Sequence, residues 1–172
     1  MTFEQRLHAF NTTRNALLDE MERVATGALV ATPIAGAWSI LDIIEHLVLA
    51  ERAVFRELPD PRRLVDATRG VADHVRYLLV LFVLTSRVRV RVPSPAMVPR
   101  GNRGLTELRR RWDENQAWVR SCIDCHGAEV GRRVVCEHPI AGPLTLEQAL
   151  VMGQIHVDGH IRQIRALQRL LT

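Results

Sequence analysis

The sequence contains no lysine: all 23 of its basic residues are arginine. Such a bias follows a GC-rich coding sequence and carries no mechanism. Blocks of like charge are absent too, because the arginines interleave with aspartate and glutamate along the chain. A formal net charge of +4 and a pI of about 9.7 therefore do not amount to a nucleic-acid surface. Long apolar runs are missing. The longest, YLLVLFVL at 77–84, is far short of the roughly twenty residues a spanning helix needs, so no membrane partner is expected. The opening MTFEQRLHAFNTTRN has no basic stretch leading into an apolar one, and no signal peptide is expected. With neither a signal peptide nor a spanning segment expected, a cytoplasmic location is expected, and the 3 cysteines, an odd number, are expected to be reduced. There is no internal repeat and no low-complexity segment.

What remains is an ordinary globular composition. At 172 residues, with 47% apolar and 24% charged residues, the chain has the length of one domain, spanning 1–172, with one sizeable core. Phe3, Leu7, Phe10, Leu17, Met21 and Val24 recur in three- and four-residue steps and predict an amphipathic helix over 2–26. Residues 27–37 read as a loop. Ser39, with Asp42 in the third helical position and Trp38 before it, predicts a helix start, and Pro59 and Pro61 end that helix near 58. A very apolar helix is predicted over 71–86, then an alternating stretch SRVRVRVP at 86–93, extended or a frayed helix end. A long loop covers 93–104 and a further helix 105–125. Residues 127–144 form a connection with a short β-prone run, RRVVCEH. The last helix opens at Thr145, with Gln148 completing a capping box. Helices dominate, so the expected fold is an all-α antiparallel four-helix bundle with an extra short helix and a minor β-prone loop.

The stretch SCIDCHG at 121–127 contains Cys-x-x-Cys-His, the attachment pattern of a c-type haem. Haem attachment takes place outside the cytoplasm, and the chain shows no export signal. Cys122, Cys125, Cys136 and His138 also offer a zinc-like spacing. On a regular helix, however, Cys122 and Cys125 point about 60° apart, and Cys122 falls on the apolar stripe, where a thiol behaves as a small hydrophobe. The expected reading is thiols without an ion.

The last helix places Ala149, Gly153, His156, His160, Ile164, Leu167 and Leu171 on one face, and Asp158, Arg162, Arg165 and Arg169 opposite. Two imidazoles on a core-facing stripe need partners, since an unpaired buried polar group costs a few kcal/mol. Four residues apart, their ring nitrogens can reach one ion; hydrogen-bonded core histidines are the other reading. His46 lies near the apolar stripe of the second long helix, with Ile43, Leu47, Ala50 and Val54. Inward-facing ligands on different helices of a bundle converge. Three imidazoles suit Zn, Ni, Co or Fe and leave coordination positions open. Asp42, one turn before His46, could accept its other ring N–H, or act only as a helix-capping charge. His8, His74, His126 and His138 show no partner pattern and read as surface or loop residues.

These residues resemble the DinB/YfiT-like family of four-helix bundles. The resemblance rests on WSILDIIEHL from Trp38 through His46, HPIAGPLT from His138 to Thr145, and HVDGHIRQ from His156 to Gln163. It covers essentially the whole chain. It implies an up-down-down-up bundle holding a divalent metal ion (Zn, Ni or Fe) on His46, His156 and His160, with Gln163 matching a family glutamine. Characterised relatives include thiol-dependent S-transferases and isomerases. The implied function is a metal-dependent enzyme, a hydrolase or a thiol S-transferase, acting on a small molecule with water or a low-molecular-weight thiol. Residues 62–103 carry no family motif and are where substrate contacts are expected. A non-catalytic metal- or small-ligand-binding bundle is the alternative; a nucleic-acid-binding protein would need arginines clustered on one face. The resemblance and the apolar 71–84 stretch together lead us to expect a homodimer.

Overall fold

Capping side chains decide where most of the long helices start. Thr2 opens α1 (Phe3–Met21): its hydroxyl accepts the Gln5 N–H at 3.2 Å, and the Gln5 side chain accepts the Thr2 N–H at 2.9 Å. Past Met21 the chain turns and adds a short helix, α2 (Thr26–Val30). Ser39 opens α3 (Ile40–Val54) through the same reciprocal bonds with Asp42. A two-residue strand β1 (Val65–Asp66) precedes α4 (Val71–Thr85), and α5 (Leu105–His126) runs until Gly127 turns it with φ 57°. Strands β2 (Arg133–His138) and β3 (Gly142–Thr145) form a hairpin, and Thr145 with Gln148 caps α6 (Leu146–Leu171). Short 3-10 turns occupy Pro61–Arg63, Pro95–Met97 and Gly127–Arg132. This computed structural model describes residues 1–55, 60–66, 68–86 and 94–171.

Contacts between helices fix their directions. Arg6 meets Glu147, Thr13 meets Gln154 and Glu20 meets Gln168, so numbering rises together along α1 and α6, which are parallel. Arg14 pairs with Asp113 and Asp19 with Arg109, so α5 runs against α1. The Val48 carbonyl accepts from Asn115 and Phe55 stacks near Trp118, so α3 runs with α5. The result is an up-down-down-up four-helix bundle of α1, α3, α5 and α6. Its core is apolar and fully buried: Leu18, Met21, Ile40, Ile43, Ile44, Leu108, Trp112 and Ile164. Helix α4 packs on α6 and β3. Among the described residues, no helix is long and apolar enough to cross a membrane.

Three expectations need correction. The first helix stops at Met21, not 26, and 27–37 is not wholly loop, because α2 turns back to bury Leu29 in the core that holds Met21 and Ile40. The 93–104 segment is not featureless: Ser94 caps a 3-10 turn, Pro95–Met97, that packs on α3. The expected β-prone run RRVVCEH is strand β2, the middle of a three-stranded antiparallel sheet, β1-β2-β3, with Val65 opposite Val134 and Cys136 opposite Leu144. Val135, Cys136 and Leu144 bury against Trp118, Val119 and Cys122 in a second core cluster, which explains why the hairpin is there. The second long helix also stops short of the expected end near 58: α3 closes at Val54, with Phe55 as its C-cap turned into the second core cluster. Most of SRVRVRVP lies outside the described residues.

Candidate metal centre

His46 comes from the middle of α3, and His156 and His160 from successive turns of α6. Because α3 and α6 run antiparallel and both bury their apolar stripes, the three rings meet between them. Their ligand nitrogens all lie within 4.8 Å of one another. Nε2 of His156 is 3.3 Å from Nε2 of His46 and 3.1 Å from Nε2 of His160. Among the described residues this is the one group of three or more His, Cys, Asp or Glu placed to share an ion. His46 is buried, at 5% exposure, and stacks beside Trp38; His156 and His160 are partly exposed.

The hydrogen bonds on the far side of the rings fix where the protons are. Nδ1 of His46 lies 2.8 Å from the Met97 carbonyl oxygen, which can only accept, so that nitrogen carries the proton. Nδ1 of His160 lies 3.0 Å from Oε1 of Gln163 and is likewise the donor. In a neutral ring, Nε2 of both residues is then a lone pair. Nε2 of His156 faces both, and a single N–H there can donate to only one of them. Burial lowers the pKa of His46, the Met97 bond opposing it. It lowers His156 well below the usual range, helped by His160 and His46, and holds His160 down to about 4, helped by His46. At neutral pH all three rings are uncharged, and a cation is what their converging lone pairs are suited to. Two nitrogens bound to one tetrahedral ion at about 2.05 Å sit about 3.3 Å apart, close to the two spacings from Nε2 of His156 to its neighbours. The residues present fit a divalent ion of the borderline-soft, imidazole-preferring kind.

Of the other expected site residues, Gln163 is in place against His160. Asp42 is not: its Oδ2 accepts from Ser39 N at 3.0 Å and Ser39 Oγ at 2.8 Å, while the His46 ring N–H goes to Met97. Its role is the helix cap. The Cys-x-x-Cys-His stretch assembles no ion site with Cys136 and His138. Cys122 is buried, and burial, with Cys125 adding to it, pushes its thiol up to about 12; Cys125 is exposed. His126 lies 2.7 Å from the Pro61 carbonyl oxygen and ties the end of α5 to that turn. His138 accepts the Ala141 N–H at 3.0 Å and closes the hairpin. His8 and His74 are exposed.

Three contributors escaped the sequence reading: the Met97 carbonyl, Glu45 and Arg103. The Glu45 carboxylate is 2% exposed and accepts from the backbone N–H groups of Arg100 and Gly101, at 3.0 and 2.9 Å, and from the Arg103 guanidinium. A charged residue inside ILDIIEHLVL was the one available signal.

The sequence model of the DinB superfamily matches residues 9–164. No curated protein matches the chain. Among solved structures, the crystal structure of TT2238, a four-helix bundle protein, is similar at a TM-score of 0.57 and 21% identity, over 96% of this chain and 99% of that one. That likeness carries the bundle architecture alone. The family match spans α3 and α6 as far as Ile164, including all three clustered histidines, and the chain belongs to the DinB superfamily.

Proposed function

We propose that Nε2 of His46, His156 and His160 hold one divalent ion, Zn, Ni or Fe, and that the protein is a metal-dependent enzyme using water or a low-molecular-weight thiol as nucleophile toward a small electrophilic substrate. The observation that carries this reading is the convergence of three neutral imidazoles at 3.1 and 3.3 Å with the far-side protons of two of them already committed. Three protein ligands leave room for exogenous ones, and the partly exposed His156 and His160 put that room on the solvent side of α6. When bound, the ion would supply Lewis acidity, lowering the pKa of a water or thiol toward 7 or polarising a substrate carbonyl. Met97 and Gln163 orient two of the rings, and Trp38 walls one side of His46. The test is an assay of the metal-free and Zn-, Ni- and Fe-loaded protein for ester hydrolysis and for thiol addition to an electrophile. Activity appearing only with metal, and lost in His156→Ala, supports the enzyme; a loaded protein inert in both assays supports the non-catalytic bundle.

We also propose a homodimer. Val71, Val75, Leu78, Leu79 and Phe82 leave one face of α4 apolar and between 52% and 83% exposed, while Tyr77 on the opposite face is buried against the second core cluster. A helix apolar on both faces is half-buried in a monomer and covered in a dimer.

A further inference from the structure

Glu45 stands immediately before His46 in the most apolar turn of α3, where a carboxylate is costly unless fully partnered. All of its partners come from one loop. Arg100 and Gly101 donate their backbone N–H groups to Oε2 at 3.0 and 2.9 Å, and the Arg103 guanidinium, itself only 18% exposed, donates to Oε1. Three residues before the first of these donors, the same loop delivers the Met97 carbonyl to Nδ1 of His46 at 2.8 Å. Adjacent residues of α3 thus grip two points of one short segment, and Val98 and Pro99 are all that separates them. Proline fixes one backbone angle of that link, so the two anchors move together. The 3-10 turn Pro95–Met97, capped by Ser94, stiffens the other side of Met97.

We infer that Glu45 is a positioning residue: through Arg103 and the 100–101 backbone it holds the Met97 carbonyl against His46, and so keeps that ring in the tautomer with its proton on Nδ1 and a lone pair on Nε2. Without the carbonyl both tautomers are open to the ring, and the Nε2–H form has no lone pair to offer an ion. The tautomer claim stands on the loop geometry alone; its purpose rests on the metal reading proposed above.

Long-range nitrogen–proton NMR of the metal-free full chain near pH 7.5 reads the tautomer of each histidine. In the wild type His46 is protonated on Nδ1. Glu45→Gln keeps the size and removes the charge, and shifts His46 toward the Nε2–H form, while His160, held by Gln163, stays as it was in the same spectrum. Zinc affinity, measured by competition with a chromophoric chelator, falls by about 10- to 100-fold, the usual cost of losing an outer hydrogen-bond partner. If Glu45→Gln does not fold, Arg103→Met, at a part-exposed position, carries the same test with a smaller shift in the same direction. A His46 tautomer unmoved in the folded variant overturns the inference; a moved tautomer with unchanged zinc affinity upholds the positioning of the ring and overturns its purpose for the ion. Failure of the metal reading shows differently, as a wild type that binds no zinc, with the tautomer measurement still deciding whether Glu45 positions the ring.

Discussion

Burial pushes the Glu51 carboxyl up to about 7, against bonds from Trp112 at 2.8 Å and Gln116 at 2.7 Å and the nearby Arg14 charge. The folded protein therefore holds this proton more tightly than the unfolded chain. The contribution to stability is fully present below the ordinary value of 4.5 and lost as pH rises through about 7, a change of at most about 3 kcal/mol. Gln116 has a buried Oε1 without a partner, and turning its amide would let a protonated Glu51 donate to it. Glu51→Gln mimics the protonated form, so urea unfolding of the variant should lose the wild type's decline in stability between pH 4.5 and 8; parallel pH profiles would contradict this. At the same scale, His156 and His160 were legible because imidazoles on an apolar helical stripe demand partners, and His46 because it lies on the facing stripe. Met97 was not, since its contribution is a backbone carbonyl and any residue type supplies one. Asp42 stayed ambiguous for a related reason: the spacing that reaches a histidine one turn on is also the spacing of a capping box, and the capping reading is the one its bonds to Ser39 show.

Two helix starts were legible because one side chain decides them: Ser39 and Thr145 each exchange two hydrogen bonds with a residue three positions on, an entirely local arrangement. Thr2 does the same with Gln5, a cap that the apolar periodicity of the first helix did not bring out. The run RRVVCEH was legible as β-prone and is strand β2, but its pairing with β1 was not, because Val65 and Val134 lie nearly seventy residues apart. The break between α1 and α2 was missed because it answers to the burial of Leu29 and not to a local stop signal. The cap of α3 gives a prediction that separates stability from metal binding. Asp42→Ala removes the acceptor of Ser39 N and Ser39 Oγ, and should cost about 1 kcal/mol of stability to urea. Zinc affinity should not change, because His46 is oriented by Met97. A loss of affinity matching that of Glu45→Gln would return Asp42 to the metal centre.

The whole molecule is a bundle in which one buried histidine on α3 meets two partly exposed histidines on α6. Helix order was readable from the apolar stripes, while the relative directions came from the family resemblance and are fixed in the structure by pairs such as Arg6–Glu147 and Arg14–Asp113. The exposed face of α4 bears on assembly: sedimentation should give a dimer at micromolar concentration and a monomer for Phe82→Glu, and a clean wild-type monomer would contradict the dimer. Stability should not depend on the ion, because the core of Ile43, Ile44, Leu108 and Trp112 is complete without it. The central claim is that three histidines make one metal site. Elemental analysis after zinc loading and removal of free ion tests it most directly, with circular dichroism on the same samples. We predict one equivalent of zinc in the wild type and in Cys125→Ser, none in His156→Ala or His160→Ala, and helical spectra in all four. Zinc retained by the histidine variants, or lost with Cys125, would place the ion elsewhere and contradict the account.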